Sequence, residues 1–498
     1  MRSGGGLTNL SALALAIASF AGAASLGGGT AAAAAGPSAH RKLVATTVQV
    51  TETDPDRSQY LSVQSPLVFT PRTSVQAQRP VVAVNDGLRD QRFEGIGAAM
   101  TDTSAWLIET KLSRFNRMRL MHDLFSRDGL HLDFMRVPIG ASDFSAQARP
   151  YSYDDMPPGQ TDPELKNFSV AHDNAYILPA LHQATSFNPR ITFLANPWSA
   201  PGWMKANDSL DNVGGAGVLL PQYYPAFANY FVDFIKAYAR AGVRIAAIVP
   251  ENEPGAPTIY PGMELPPSNE ATFVSQNLVP SLSAAGLHTQ VYGNELSWDR
   301  TGYVNQLLLD THDLAGISWH CYRGDPAVMQ LYPHISQIVD ECSNELPHFP
   351  ASLIAVEALR DGASVSSAWN VALDPQGGPV QPPNHACPGC IGIATVDPAT
   401  HNFRFTNRFF QLSQISHYVE AGAQRIGTQS NDETSYDSAT RSFGPGLAEV
   451  GFENPGGIKV LVVYNSSPAR IQYDIDWRQL VLANQGIDPG ETITFRWK

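Results

Sequence analysis

At 498 residues, with 43% hydrophobic content and a pI near 5.4, the chain carries a formal net charge of −13. That acidity, with no long basic run anywhere, excludes nucleic acid and anionic membrane surfaces as main partners. The length has room for two or three domains, and 37 Pro with 40 Gly describe a loop-rich globular protein with ample core. Residues 1–35 hold one Arg, an apolar run from Leu10 to Leu26 and an Ala run ending at Gly36. They read as an export signal peptide and so predict a secreted protein; a disordered Ala/Gly tail is the bland alternative. No later stretch is apolar and long enough to span a bilayer, so no stable membrane insertion is expected. Residues 37–90 are β-rich and polar, with alternating segments Lys42–Val50 and Val81–Val84.

Between residues 91 and 424 short apolar runs alternate with helical stretches. Strands are predicted near 93–100, 133–139, 190–197, 244–250, 289–293, 314–320, 335–340 and 365–373. Helices lie between most of them; in Gln222–Ala241 the aromatics recur at helical spacing. Eight strand-and-helix units predict a parallel (β/α)8 barrel. From 425 to 498 the pattern returns to short strands, Lys459–Tyr464, Arg470–Ile475 and Thr492–Trp497, separated by turn residues. The two β-rich ends are expected to form one β-sandwich beside the barrel. Of the four cysteines, Cys387 and Cys390 frame a CxxC with no second metal half-site, which reads as a local disulfide pinning a loop. Cys321 and Cys342 either pair or stay as buried thiols.

The predicted strands end in polar residues. The apolar run Ile245–Val249 stops at Pro250-Glu251-Asn252-Glu253-Pro254, and carboxylates at strand ends are where a barrel keeps its chemistry. Strand one ends in Thr101-Asp102, and strand two supplies Arg136 and then Asp143. Strand three ends at Trp198, strand six at Trp319-His320-Cys321-Tyr322, strand seven at Asp340-Glu341 and strand eight at Trp369-Asn370. Any one of these is explained by an ordinary polar cap; their recurrence on nearly every strand is not. Paired carboxylates ringed by Trp and Tyr suit a carbohydrate, whose C–H faces stack on rings and whose hydroxyls need polar partners.

The segments GIGAAMTDTSA, RVPIGASDFS, YSYDD, ANPWSAPGWMK, NEP, SWHCY, WNVALDPQGGP and GFENPGGIKVLVVYNSS resemble, in order, retaining β-glycosidases of glycoside hydrolase family 30. That family includes glucosylceramidases and endo-β-1,6-glucanases. The resemblance implies a secreted hydrolase acting on a carbohydrate or glycolipid, with no cofactor and no metal. It implies an acid/base glutamate on strand four, Glu253, and a nucleophilic glutamate on strand seven. Two residues compete for the second role, Glu341 and Glu357. Glu357 precedes Trp369 on strand eight by 12 residues, too few for a crossover helix of roughly 10–12 residues plus strand ends. Glu341 precedes it by 28, and Leu353–Leu359 has the look of that helix. Glu341 is therefore taken as nucleophile and Glu357 as a helix-surface carboxylate.

By the same resemblance Asn252 bonds the sugar 2-hydroxyl, and Asp102, Asp143, Trp198, Trp369 and Asn370 hold the sugar. His320 and Tyr322 line the site and orient Glu341, and Arg136 keeps that carboxylate ionised. Glu253 needs a raised pKa to act as an acid. Three departures stand out: Glu251 before the Asn-Glu pair, Asp340 before the nucleophile, and Cys321 after His320. Glu251, two residues from Glu253, is placed on the same side of a strand. A β-1,6-galactanase or another specificity of the family stays open, as does a catalytically silent carbohydrate-binding protein. A serine hydrolase is excluded, because no G-x-S-x-G elbow occurs.

Overall fold

A computed structural model describes residues 46–56, 58–72, 79–343, 350–381 and 389–498; the export signal read over residues 1–35 and Cys387 lie outside them. Eight parallel strands close on themselves in chain order: β1 (Gly95–Ala99), β2 (Phe134–Pro138), β3 (Thr192–Asn196), β4 (Ile245–Ile248), β5 (Gln290–Ser297), β6 (Gly316–His320), β7 (Ser336–Glu341) and β8 (Val365–Ala368). The ring shuts where Gln290 and Val291 pair with Ala247 and Ile248, and where β8 pairs with β1 from Val365↔Gly95 to Ala368↔Ala98. Every residue of β1, β2 and β6 is buried, which is why these strands read as continuous apolar runs instead of alternating ones. Inside, Phe134, Leu194, Ala247, Val249, Tyr292, Ile338 and Val365 pack into a closed core. Outside, helices such as Tyr224–Arg240 press Phe227, Phe231, Phe234 and Tyr238, all at helical spacing, onto the barrel wall.

Two strand ends differ from expectation. β5, expected to stop at residue 293, continues to Ser297 through a bulge between Asn294 and Leu296, with positive φ at Asn294 and Glu295. β8, expected to reach 373, stops at Ala368. Asn370 adopts φ +66° and turns the chain out, so that Ala372–Leu373 joins a separate sheet with Ala394–Asp397 and Asn402–Phe405.

The sandwich draws on both ends of the chain. Thr47–Thr53 pairs antiparallel with Thr492–Trp497, and Val81–Arg92 lies between Gln424–Ser430 and Ile471–Trp477. Val48, Val50, Val82, Leu461, Tyr473, Ile475, Trp477, Phe495 and Trp497 are among the residues of its own core. The barrel helix Ala351–Arg360 packs against the sandwich strand Leu447–Glu453. That contact corrects one expectation: Glu357 is on a helix, but both faces of the helix are covered and its carboxylate is buried against Arg360 at 2.6 Å.

Candidate active site

The barrel's carboxyl end is organised by one buried guanidinium. Arg136 leaves β2 pointing inward and is fully enclosed. Its Nε meets Asp340 Oδ2 at 2.9 Å, and one Nη donates to Glu295 Oε2 at 2.8 Å and to Asn252 Oδ1 at 2.7 Å. The other Nη bonds Glu341 Oε2. Successive strand residues normally face opposite ways, yet Asp340 and Glu341 both reach Arg136. The β6–β7 register explains this: Trp319 pairs with Val339 and His320 with Glu341, leaving Asp340 as the extra residue of a bulge. Burial pushes the Glu295 carboxyl well up, Arg136 opposes it, and the neighbouring Asp340 adds to the rise. Burial also acts upward on Asp340, but Arg136 and then His320 bring it below the usual aspartate range. Glu295 and Asp340 are thus driven in opposite directions although both touch Arg136.

Above this base stand two glutamates and a histidine. Glu253 follows β4 in a turn with φ +47°, not on an extended strand. His320 Nδ1 lies 3.1 Å from Glu253 Oε1 and 3.8 Å from Glu341 Oε1, and its Nε2 lies 3.7 Å from Asp340 Oδ1. One carboxylate oxygen each of Glu253 and Glu341 and one ring nitrogen of His320 all fall within 4.8 Å of one another. Burial disfavours the imidazolium, but Glu341, Glu253 and Asp340 outweigh it and raise the His320 pKa. Burial acts to raise the Glu253 carboxyl; the His320 hydrogen bond and charge, then Arg136 and Arg323, bring it below its ordinary value. The raised Glu253 expected from the mechanism is therefore not what the surroundings produce: its carboxyl is lowered while His320 is raised.

A cleft of about 540 Å³ opens over these groups. On one side are Asp143 after β2, Trp198 after β3 and Trp369 after β8, the two indoles stacked at 5.2 Å and 23°. On the other are Pro254–Pro257, Tyr260, Leu296–Ser297, Asp299–Arg300 and Tyr322–Arg323. Tyr322 donates its hydroxyl to Glu341 Oε1 at 2.6 Å. Burial, then the charges of Glu341 and Glu253, push the Asp143 carboxyl well up.

Of the residues expected at the site, Asp143, Trp198, Asn252, Glu253, Tyr322, Glu341 and Trp369 line this cleft. Arg136 and His320 stand immediately behind it. Asp102 and Asn370 do not reach it. Asp102 is buried at the start of helix Asp102–Trp106, where Ala146 N, Tyr151 Oη, His172 Nε2 and Tyr176 Oη take up both its oxygens at 2.7–3.0 Å. Asn370 is buried beside Thr101, which donates to its Oδ1 at 2.8 Å. Glu251 does not share a face with Glu253, since β4 ends at Ile248. It is buried, and burial raises its carboxyl while Lys205 acts to lower it. Cys321 and Cys342 form a disulfide. Cys390 lines the cleft and is disulfide-bonded.

Sequence reading missed Glu295, because β5 was expected to stop before it; the signal available was a Gly-Asn-Glu at a strand end, echoing the Asn-Glu of strand four. It also missed Tyr260, Arg300 and Arg323 on the rim, for which no local motif exists. Glu253–His320–Glu341 and Glu295–His320–Asp340 both have the donor types of a metal site. In both, Arg136 already sits on a carboxylate of the set, so the local positive charge is the guanidinium.

A model described as glycosyl hydrolase family 30 TIM-barrel domain matches residues 93–332, and one described as glycosyl hydrolase family 30 beta sandwich domain matches residues 422–494. Endo-1,6-beta-D-glucanase of Neurospora crassa is 29% identical over 80% of this chain and 84% of its own length. Lysosomal acid glucosylceramidase of Mus musculus is 28% identical over 82% and 81%. Among solved structures, SrfJ of Salmonella typhimurium superposes with a TM-score of 0.79 at 23% identity, covering 91% of this chain and 99% of that one, a likeness of fold. No helix among the described residues is long and apolar enough to cross a membrane.

Proposed function

The chain belongs to glycosyl hydrolase family 30, and from that premise we propose that it is a secreted retaining β-glycosidase acting on β-linked glucose by double displacement. The observation that carries this reading is the approach of Glu253 and Glu341 oxygens to within 4.8 Å. Retaining enzymes hold their carboxyl groups about 5–5.5 Å apart, whereas inverting ones leave about 6.5–9.5 Å for a water. Glu341 is the nucleophile: Arg136 and the Tyr322 hydroxyl both bond its carboxylate and hold it aimed. Attack on the anomeric carbon forms the glycosyl-enzyme bond as the glycosidic C–O bond breaks. Glu253, with His320 Nδ1 3.1 Å from its Oε1, delivers a proton to the leaving oxygen and takes one from the incoming water in the second step. Trp198 and Trp369 support the sugar face, and Asp143 bonds a hydroxyl.

The names of the relatives support trying 1,6-β-glucan and glucosylceramide first. Export is supported by the 1–35 segment and by the Cys321–Cys342 disulfide, a bond kept in oxidising compartments. The test is proton NMR of products from β-1,6-glucan, β-1,6-galactan, xylan, glucosylceramide and aryl β-glucosides, with Glu253→Gln and Glu341→Gln as controls. A β-configured first product that vanishes in both variants is expected. An α-configured product, or glycan binding with no turnover on any substrate, would overturn the proposal.

A further inference from the structure

The catalytic end of β7 is weakly laddered. After Trp319↔Val339 the β6–β7 register skips Asp340, and β7 registers with β8 through Val339↔Ser366. A bulge turns both Asp340 and Glu341 inward but disrupts the ladder where the nucleophile needs a fixed backbone. The next residues on the two strands, Cys321 after His320 and Cys342 after Glu341, point the opposite way. They enter the apolar layer outside the barrel with Trp298, Val304, Met329, Ile354 and Ala358, and there they are bonded to each other, Cα to Cα 5.2 Å. Around the bond, Cys321 N donates to Glu341 O at 3.3 Å and Trp369 N to Cys342 O at 2.9 Å.

We infer that the Cys321–Cys342 disulfide is a positioning element for the first chemical step, a covalent staple across the bulge that keeps the Glu341 carboxylate between Arg136 and Tyr322. The inference rests on Glu341 being the nucleophile. A disulfide closing a separation of 21 residues stabilises any fold by restricting the unfolded chain. This one also sits one residue from the attacking atom's backbone, and the inward residues His320 and Glu341 are direct neighbours of the two cysteines. Without the bond nothing covalent fixes the end of β7 against β6, and a 1 Å misplacement of a reacting group costs on the order of 100-fold in rate.

The test is Cys321→Ala/Cys342→Ala, assayed on an aryl β-glucoside at a temperature well below its own melting midpoint. We expect kcat and the rate of inactivation by a 2-deoxy-2-fluoro-glucoside to fall about 10- to 100-fold, with KM little changed. A lower melting temperature with kcat and inactivation rate both unchanged would make the disulfide purely structural and overturn the inference. If the double variant does not accumulate, the folded wild type is reduced, alkylated and peptide-mapped. Loss of turnover that tracks labelling of Cys321 and Cys342 supports the staple, and full turnover with both labelled sinks it. Glu341→Gln is run beside these; turnover retained there would remove the nucleophile assignment, a separate failure.

Discussion

Two places in this molecule bury several carboxylates around a single arginine. At the carboxyl end of the barrel Arg136 holds Glu295, Asp340 and Glu341; at the barrel–sandwich junction Arg360 holds Glu357 at 2.6 Å, Asp361 at 3.3 Å and Glu433 at 2.6 Å, with buried Glu449 close by. Burial raises carboxyl groups in both, Glu295 in the first and Glu357 and Glu449 in the second. Both border a cleft, and the junction cleft is the larger, about 1040 Å³ against about 540 Å³. Buried charge and cavity size therefore do not identify the chemistry here, although each is a common guide to it. The difference lies in what faces the cluster. Glu341 has a second carboxylate and an imidazole within 4.8 Å and a stacked indole pair across an open cleft. Glu357 faces a sandwich strand.

The largest expected contrast is between the two glutamates. Glu341→Gln should lower kcat on the order of 10⁴-fold or more, the scale seen when a nucleophile is deleted, whereas Glu357→Gln should leave kcat per folded molecule unchanged. Steady-state kinetics normalised to the concentration of folded protein decides it, and comparable losses in both would erase the distinction. Next come the arginines. Removing one partner from a buried ion cluster costs about 3–5 kcal/mol, so Arg136→Met and Arg360→Met should both shift denaturant midpoints downward. Only Arg136→Met should also reduce kcat, because only that guanidinium touches Glu341. Tyr322→Phe removes one 2.6 Å hydrogen bond to a carboxylate. Bonds to charged groups contribute about 1.5–3 kcal/mol, so kcat/KM should fall by about one to two decades with the melting temperature nearly constant.

A different kind of effect is expected from pH. Glu449 is raised from 4.5 to about 8, first by burial. A carboxyl with a raised folded pKa binds more protons folded than unfolded. Its contribution is fully present below about pH 4.5 and is lost as pH climbs through about 8. Stability should fall across that window, and Glu449→Gln should flatten the slope in denaturant titrations run at several pH values. An equally steep slope in the variant would assign the effect elsewhere.

How much of this was legible in the sequence depended on how local the signal was. The barrel strands were readable because strands buried on both faces are apolar throughout, and Glu253 announced itself at the end of such a run. The preference for Glu341 over Glu357 came from chain length alone, since 12 residues cannot hold a crossover helix and a strand end. What failed was non-local. Asp102 sits in a site-like motif, but the chain around 146–176 folds back and occupies it. Glu357 looked exposed because a helix carries no sign that a sandwich strand will cover it. Glu295 was hidden by a bulge, which breaks the alternation that strand reading relies on. The pairing of Cys321 with Cys342 became clear only once β6 and β7 were neighbours.

The central claim is that Glu341 attacks the sugar. Its most direct test is to incubate the wild-type protein with a 2-deoxy-2-fluoro-β-glucoside carrying a good leaving group, digest it, and locate the attached sugar by mass spectrometry. The account predicts one sugar per molecule, on the peptide carrying Asp340-Glu341-Cys342 and at Glu341, blocked by Glu341→Gln. A sugar found on Glu357, or on any residue other than Glu341, would contradict it.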